Sequence, residues 1–405
     1  MGTGVLRVKP LVDAVHPIAD APTAYQSLAG PARPIGILLD YGLDTARPIS
    51  RQYRPAPGAG AHAATGARVG VIGYGSYFQS VLLPLLKADA RFSLVSVCTR
   101  NGLTVRNAVE KKEFARGTTE YQELVADPEI DVVYIATRHN EHYAMAKSAI
   151  EAGKAVFVEK PMTVSAADGR ALADLVRERG GFLTVGFNRR FSPHAQRLAE
   201  LLRPIAAPKT LVYRVNAGAL PPDHWLLDPV EGGGRLVGEG VHFFDFLSFL
   251  AGAPPTSVSA SAVAGRSRDE AIVTLGFADG SVGTLIYTGG GAGAAGKERV
   301  EVFAGGAAFV LDDYKSLQAF GVKGAGTTTK TIEKGQKEQL ENVALALAGK
   351  APLGVTAEDG YWATWCAERA IGGTPLEDAA SRVASAGESR PGLQESGAGA
   401  PPARA

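Results

Sequence analysis

Cysteine is almost absent: Cys98 and Cys366 are the only two in 405 residues. Two cysteines make no disulfide framework, and their separation fits no zinc pattern, so both read as small buried residues. Charge of one sign is also lacking. With 42 basic and 41 acidic residues the net charge is +1, which argues against nucleic acid or an anionic membrane as a partner. No apolar run is long enough to span a bilayer. The first ten residues lack the apolar core of a signal peptide, and Leu6 stands where a myristoylation motif needs Ser or Thr. These absences lead to the expectation of a soluble cytoplasmic protein. Hydrophobic content of 45% supplies sizeable cores, and the length suits two or three domains.

What is present divides the chain. Residues 1–48 read as a strand over Leu6 to Val12, a short helix over Ala21 to Leu28 and a second strand over Ile35 to Tyr41. A Pro-, Gly- and Ala-rich stretch over 49–66 reads as a linker. Apolar runs of strand length then alternate with helical periodicity: Val69 to Ile72, Leu94 to Val97, Val132 to Ala136, Val156 to Val158 and Phe182 to Val185 are strands. Phe78 to Leu86, His142 to Ala152 and Ala166 to Arg179 are helices. That alternation predicts an α/β, doubly wound parallel sheet over 67–188. After residue 208 strands crowd together (Leu211 to Asn216, Ser257 to Val263, Ala271 to Phe277, Val282 to Tyr287, Val300 to Phe303, Ala308 to Leu311). Turns such as Ala278-Asp279-Gly280 join them. A second domain over 189–378, with a mostly antiparallel sheet and one long helix from Arg235 to Leu250, is expected. Residues 379–405 are Gly-, Ala-, Ser- and Pro-rich and read as a disordered tail.

Chemistry concentrates at the ends of the first-half strands. Gly73-Tyr74-Gly75-Ser76-Tyr77-Phe78 carries the first two glycines of a dinucleotide loop, with Phe78 in the third place. The second strand ends in Thr99 and Arg100 with no carboxylate for the adenosine ribose. Arg100 could meet a 2′-phosphate, which favours NADP over NAD while leaving both open. Thr137, Arg138 and His142 follow the next strand and face a cofactor in this fold. His139 and His142 suggest a metal pair, but no third ligand is evident, so no metal is expected. One of the rings instead caps the helix or lies along the cofactor.

Glu159-Lys160-Pro161 closes the strand Val156 to Val158. The proline keeps Lys160 off helical geometry, and an ammonium there can reach a ligand hydroxyl. Further on, Glu239, His242 and Asp245 are spaced three apart and share a helical face. His242 suits proton transfer near neutrality, and Glu239 could orient it and raise its pKa. Asn188, Arg189 and Arg190, together with Tyr213, Asn216, His224, Trp225 and Asp245, suit a polyhydroxyl ligand, and the loops that carry most of them suit an interdomain interface equally well.

Together these motifs resemble the Gfo/Idh/MocA family over roughly residues 67–375, most specifically at Glu159-Lys160-Pro161. The resemblance implies an N-terminal Rossmann domain and a C-terminal α/β domain whose open sheet mediates homo-oligomers. It also implies an NAD(P)-dependent dehydrogenase or reductase acting on a sugar, sugar nucleotide or cyclitol, with Lys160 and His242 catalytic. The aspartate usual four residues before the histidine is Gly238 here. A redox-cycling glycosidase and a non-catalytic dinucleotide or sugar sensor stand as alternatives. Residues 16–25 and 37–41 resemble the extreme C-terminus of zinc-type medium-chain alcohol dehydrogenases. The whole is therefore similar to the C-terminal part of bi-domain proteins that fuse the two families.

Overall fold

The computed structural model describes residues 9–28, 30, 34–42, 51–54, 66–263, 270–322 and 326–372. The chain divides into two compact units, Met1–Arg51 and Gln52–Ala405. In the first, β1 (Ala14–Pro17), α1 (Ala21–Leu28) and β2 (Ile37–Asp40) follow a 3₁₀ turn over Lys9–Leu11. β1 and β2 pair in parallel, with Ala14 opposite Ile37. The strand expected over Leu6 to Val12 is thus displaced. Pro10, which lacks an N–H and has a fixed φ, sits in the turn, and pairing begins only at Ala14.

The second unit opens on a two-residue strand, β3 (Gln52–Tyr53), inside the segment expected to be linker. β4 (Ala67–Ile72), α2 (Leu83–Ala88), β5 (Phe92–Cys98), α3 (Gly102–Glu110), β6 (Arg116–Thr118), α4 (Tyr121–Val125) and β7 (Val132–Ile135) follow. Next come α5 (His142–Glu151), β8 (Ala155–Val158), α6 (Ala166–Arg179) and β9 (Leu183–Val185). These strands form one sheet in the order β3-β6-β5-β4-β7-β8-β9. Every pair is parallel except β3 with β6. The order reverses between β4 and β7, and in open α/β sheets ligands bind beyond the strand C-termini at that crevice.

Strand residues alternate between two cores. Val132 and Tyr134 pack in one cluster, and Val133 and Ile135 in the other, as a sheet covered on both faces requires. Side-chain caps fix the helix starts. Asn101 accepts from the backbone N–H groups of Leu103 and Thr104, and Ser165 from that of Asp168.

α7 (Pro193–Leu202), β10 (Thr210–Asn216), α8 (Val241–Ala251), β11 (Pro255–Ala262), β12 (Ala271–Phe277) and β13 (Val282–Thr288) build the second half. β14 (Glu298–Ala304), β15 (Ala307–Asp312), β16 (Ser316–Phe320) and β17 (Thr327–Thr328) complete it. The sheet order is β11-β12-β13-β10-β14-β15-β16-β17. It is antiparallel except for β10 with β13. The fold is thus a Rossmann sheet joined to an open, largely antiparallel sheet. α8 is buried along most of its length between that sheet and α10 (Ala357–Gly372). α9 (Gln336–Leu347) returns to the first sheet, where Leu340, Val343 and Ala344 join the cluster containing Val69 and Val71. The tail over 379–405 and most of the expected linker lie outside the described residues.

Candidate active site

The glycine loop leaves β4 at the switch point. Gly73 has φ +95°, and a Cβ there would lie 2.4 Å from the Ala136 carbonyl oxygen, so glycine is required. A Cβ on Gly75 would meet nothing within 4 Å, which leaves its backbone open to a phosphate. Phe78 occupies the third glycine position by burying its ring at the start of a π turn, Phe78–Leu82, against Tyr74. The wider turn makes room for a ring that a tight helix start would not.

Gly75, Tyr77 and Phe78 line a cavity of about 440 Å³. Thr137, Glu159 and Lys160 reach it from the ends of β7 and β8, and Asn188 and Arg189 from beyond β9. Trp225, Glu239 and His242 close it from the second half. Lys160 is part-buried and donates from Nζ to the Gly238 carbonyl at 2.8 Å, and desolvation pulls its pKa down. Burial pushes Glu159 up to about 7.

Gly238 lies in a second π turn, Leu236–Gly240. A Cβ there would stand 2.2 Å from Leu226 Cδ1 and 2.8 Å from His139 Cε1. The space that the family's aspartate would fill is therefore taken by neighbouring side chains. His139 Nδ1 donates to the Gly232 carbonyl at 2.8 Å, and burial, then Lys160, lowers its pKa to about 3.

His242 is buried beside the Phe187 ring, and its Nδ1 has no hydrogen-bond partner among the described residues. Its pKa lies well below the ordinary value. Burial is the main cause, followed by Arg189, Lys160, Lys334 and Lys297. The expected support from Glu239 is not found. Glu239 accepts from Arg235 Nε at 3.0 Å and from the Tyr287 hydroxyl. Burial pushes this carboxyl up, but Tyr287, Lys160 and Arg235 outweigh it and hold it ionised. Glu239 sits in the π turn and His242 in α8, so the α-helical stacking expected of residues three apart does not apply. The imidazole pKa is lowered, not raised.

Other expected residues stand elsewhere. Asp245 is buried against Arg190 in an ion pair that includes Asp359, and neither Asp245 nor Arg190 lines the cavity. Tyr213 is buried and bonds Glu298 and Tyr314. Asn216 donates to the Ala292 carbonyl, and His224 accepts from the Leu226 N–H. Tyr74 donates to Glu113 and Ser76 is exposed, both away from the cavity. Thr99 bonds the Asn101 backbone, and Arg100 pairs with Glu141 with its side chain 84% exposed. Arg138 stacks over Trp225 and pairs with Glu231. His142 is fully buried and donates from Nδ1 to the Pro161 carbonyl at 2.7 Å, steadying the turn that presents Lys160.

Lys297, Lys334 and Gln336 also line the cavity, and no motif in the sequence marks them. Their signal is faint: Lys297 and Lys334 lie just before β14 and α9, and Gln336 is the first residue of α9.

Two family models match. One describes an oxidoreductase family with an NAD-binding Rossmann fold and covers residues 67–187. The other describes the GFO/IDH/MocA C-terminal domain and covers residues 207–309. Bovine (Bos taurus) trans-1,2-dihydrobenzene-1,2-diol dehydrogenase is 32% identical over 202 residues, or 48% of this chain and 58% of that relative. The chain thus matches little more than half the length of this curated relative. Among solved structures, a probable dehydrogenase from Thermotoga maritima superposes with a TM-score of 0.64 at 23% identity, covering 76% of this chain and 96% of that one. GenD2 from gentamicin A biosynthesis, solved with NAD, superposes with a TM-score of 0.64 at 24% identity, covering 78% and 98%. At those identities the likeness speaks for the fold alone. The two models together take in more than half of the chain and fall one on each of its two large sheets, and the protein belongs to the Gfo/Idh/MocA oxidoreductase family.

Proposed function

We propose that this chain is an NAD(P)-dependent oxidoreductase acting on a hydroxyl-bearing carbon of a sugar, sugar nucleotide or cyclitol. The observation that carries this reading is convergence: the glycine loop, Lys160 and His242 open onto one cavity. The open backbone at Gly75 and the close approach at Gly73 fit a dinucleotide pyrophosphate. When bound, the dinucleotide accepts or returns the hydride of the carbinol carbon at nicotinamide C4.

The chain's own residues handle the proton and the charge. His242 is held neutral by burial and surrounding cations, so its imidazole can take the hydroxyl proton. The Lys160 ammonium, fixed by the Gly238 carbonyl, offers its remaining N–H groups to the oxygen as negative charge develops. Glu239, locked to Arg235 and Tyr287, keeps a negative charge beside Lys160 and favours the ammonium form. Trp225 and Phe243 supply apolar wall that limits water. Assembly is part of the same reading. Ile272, Val282 and Phe303 are exposed on the outer face of the second sheet, and a second copy of the chain is proposed to cover that face.

The test has two steps. The nucleotide carried by purified protein is identified by mass spectrometry, and sugars and cyclitols are then screened for absorbance change at the reduced-nicotinamide band. Lys160→Ala should abolish turnover while nucleotide affinity stays within a few-fold. Turnover of Lys160→Ala at the wild-type rate would remove the lysine from the chemistry.

A further inference from the structure

The cavity is not electrically balanced on the side of the second half. Glu298, whose carboxylate is fully buried, is shared between Arg189, at 2.7 and 2.9 Å, and Lys334, at 2.6 Å. One carboxylate thus faces two cations. Glu239 is already matched by Arg235, and Lys160 lies between Glu159 and Glu239. Lys297 is exposed at the cavity wall and has no ion-pair partner among the described residues. Asp313 is turned to the backbone: its carboxylate accepts from the N–H groups of Lys297, at 3.1 Å, and Glu298, at 2.6 Å. A surplus of positive charge therefore remains, carried by Lys297 with Lys334.

Its position matters. Lys297 precedes β14 and Lys334 precedes α9, and both line the cavity, as do His242 from the second half and Arg189 from beyond β9. Both act electrostatically on His242, as do Arg189 and Lys160. The surplus is therefore gathered around the imidazole where a carbinol would lie. A neutral polyol gives Lys297 nothing to neutralise, whereas an anionic group one or a few carbons from the carbinol does.

We infer that the substrate is an anionic polyhydroxyl compound, a carboxylate- or phosphate-bearing sugar or cyclitol, whose anion is held by Lys297 together with Lys334. This rests on the oxidoreductase reading above and narrows its substrate class. The surplus charge predicts selectivity within that class, not a different reaction.

The experiment compares matched pairs on wild-type protein saturated with NADH or with NADPH. Calorimetry measures the dissociation constants of D-glucose, D-glucuronate and glucose 6-phosphate, and of myo-inositol and an inositol monophosphate. At least one anionic member should bind ten or more times tighter than its neutral partner, and the order of glucuronate and glucose 6-phosphate tells carboxylate from phosphate. Lys297→Met, at an exposed position, should fold with an unchanged melting temperature and lower that preference by about three- to tenfold. Lys297→Arg should restore most of it. If no anionic member binds tighter than its neutral partner while nucleotide binding is normal, the inference is overturned alone. An anion preference that survives Lys297→Met also overturns it. If the wild-type protein binds neither nucleotide, the oxidoreductase reading fails and takes the inference with it.

Discussion

Two residues show how closely the site is packed around Lys160. Gly238 gives it a carbonyl and no side chain, since Leu226 and His139 occupy the place of a Cβ. Gly238→Ala should therefore destabilise the fold by about 1–3 kcal/mol through overpacking, despite the usual helical preference for alanine. Gly238→Asp, which writes in the residue usual in the family, should cost more rather than improve activity. Denaturant unfolding with kcat measured in parallel checks both, and an aspartate variant at least as stable and active as wild type would contradict the packing. His142 makes the second case. Burial lowers its pKa to about 4, against an ordinary value of 6.5. A histidine with a depressed folded pKa contributes stability that is complete above about pH 6.5 and is lost as pH falls towards 4, because the unfolded chain then binds a proton that the fold refuses. Between those limits it should steepen the pH dependence of unfolding free energy by up to about 1.4 kcal/mol per pH unit. His142→Asn should be flatter over that window by this amount. Equal slopes would mean that the imidazole titrates normally in the fold.

At the scale of elements, the loops after β5 and β7 hold the question of NAD against NADP. Arg100, the residue expected to meet a 2′-phosphate, is paired with Glu141 across these loops. The pair is exposed and therefore weak, so a phosphate could displace Glu141 at little cost. Glu141→Gln should raise affinity for NADP relative to NAD by several-fold, and Arg100→Ala should lower it. Fluorescence titration of the reduced nucleotides measures the ratios; if neither substitution moves them, Arg100 is a solvated surface arginine. The same elements show what could be read from the chain. The buried strands β4, β7 and β8 were legible because both their faces are apolar, and Lys160 was legible because an apolar strand delivers it to a proline. Glu239 was misjudged because a π turn has no signature in apolar spacing: Leu236, Val237 and Val241 look the same in α or π geometry. Arg190 and Asp245 look like ligand-binding residues in sequence and are instead a buried ion pair. A charge pattern alone does not say whether its partner is a substrate or another side chain of the same core. Lys297 and Lys334 were missed because only the fold brings these separate segments to one cavity.

For the molecule as a whole, the division at Arg51 and Gln52 sets what can be removed. Every residue lining the cavity lies between Gly75 and Gln336, and the first unit holds a sheet of its own, β1 paired with β2. A chain beginning at Arg51 should therefore bind nucleotide as the full chain does. A chain beginning at Ala67 differs in one respect, because it loses β3. Tyr53 pairs in register with Gly117 and Gln52 with Thr118, extending the parallel sheet beyond β6. The Tyr53 hydroxyl also donates to Glu110 at 3.2 Å, and its ring is partly buried against the cluster of Val105 and Val109. Loss of β3 exposes the edge of β6, a three-residue strand, and uncovers that apolar surface. The melting temperature of the chain from Ala67 should fall by several degrees below that of the chain from Arg51, in keeping with about 1–2 kcal/mol for one part-buried aromatic. Nucleotide affinity should change little in either, since β3 lies at the sheet edge, with β6 and β5 between it and β4. Calorimetric melts and nucleotide titrations on the three chains decide it. Equal melting of the two shorter chains would make β3 energetically idle, and loss of nucleotide binding in the folded chain from Arg51 would assign residues 1–50 a part in the site.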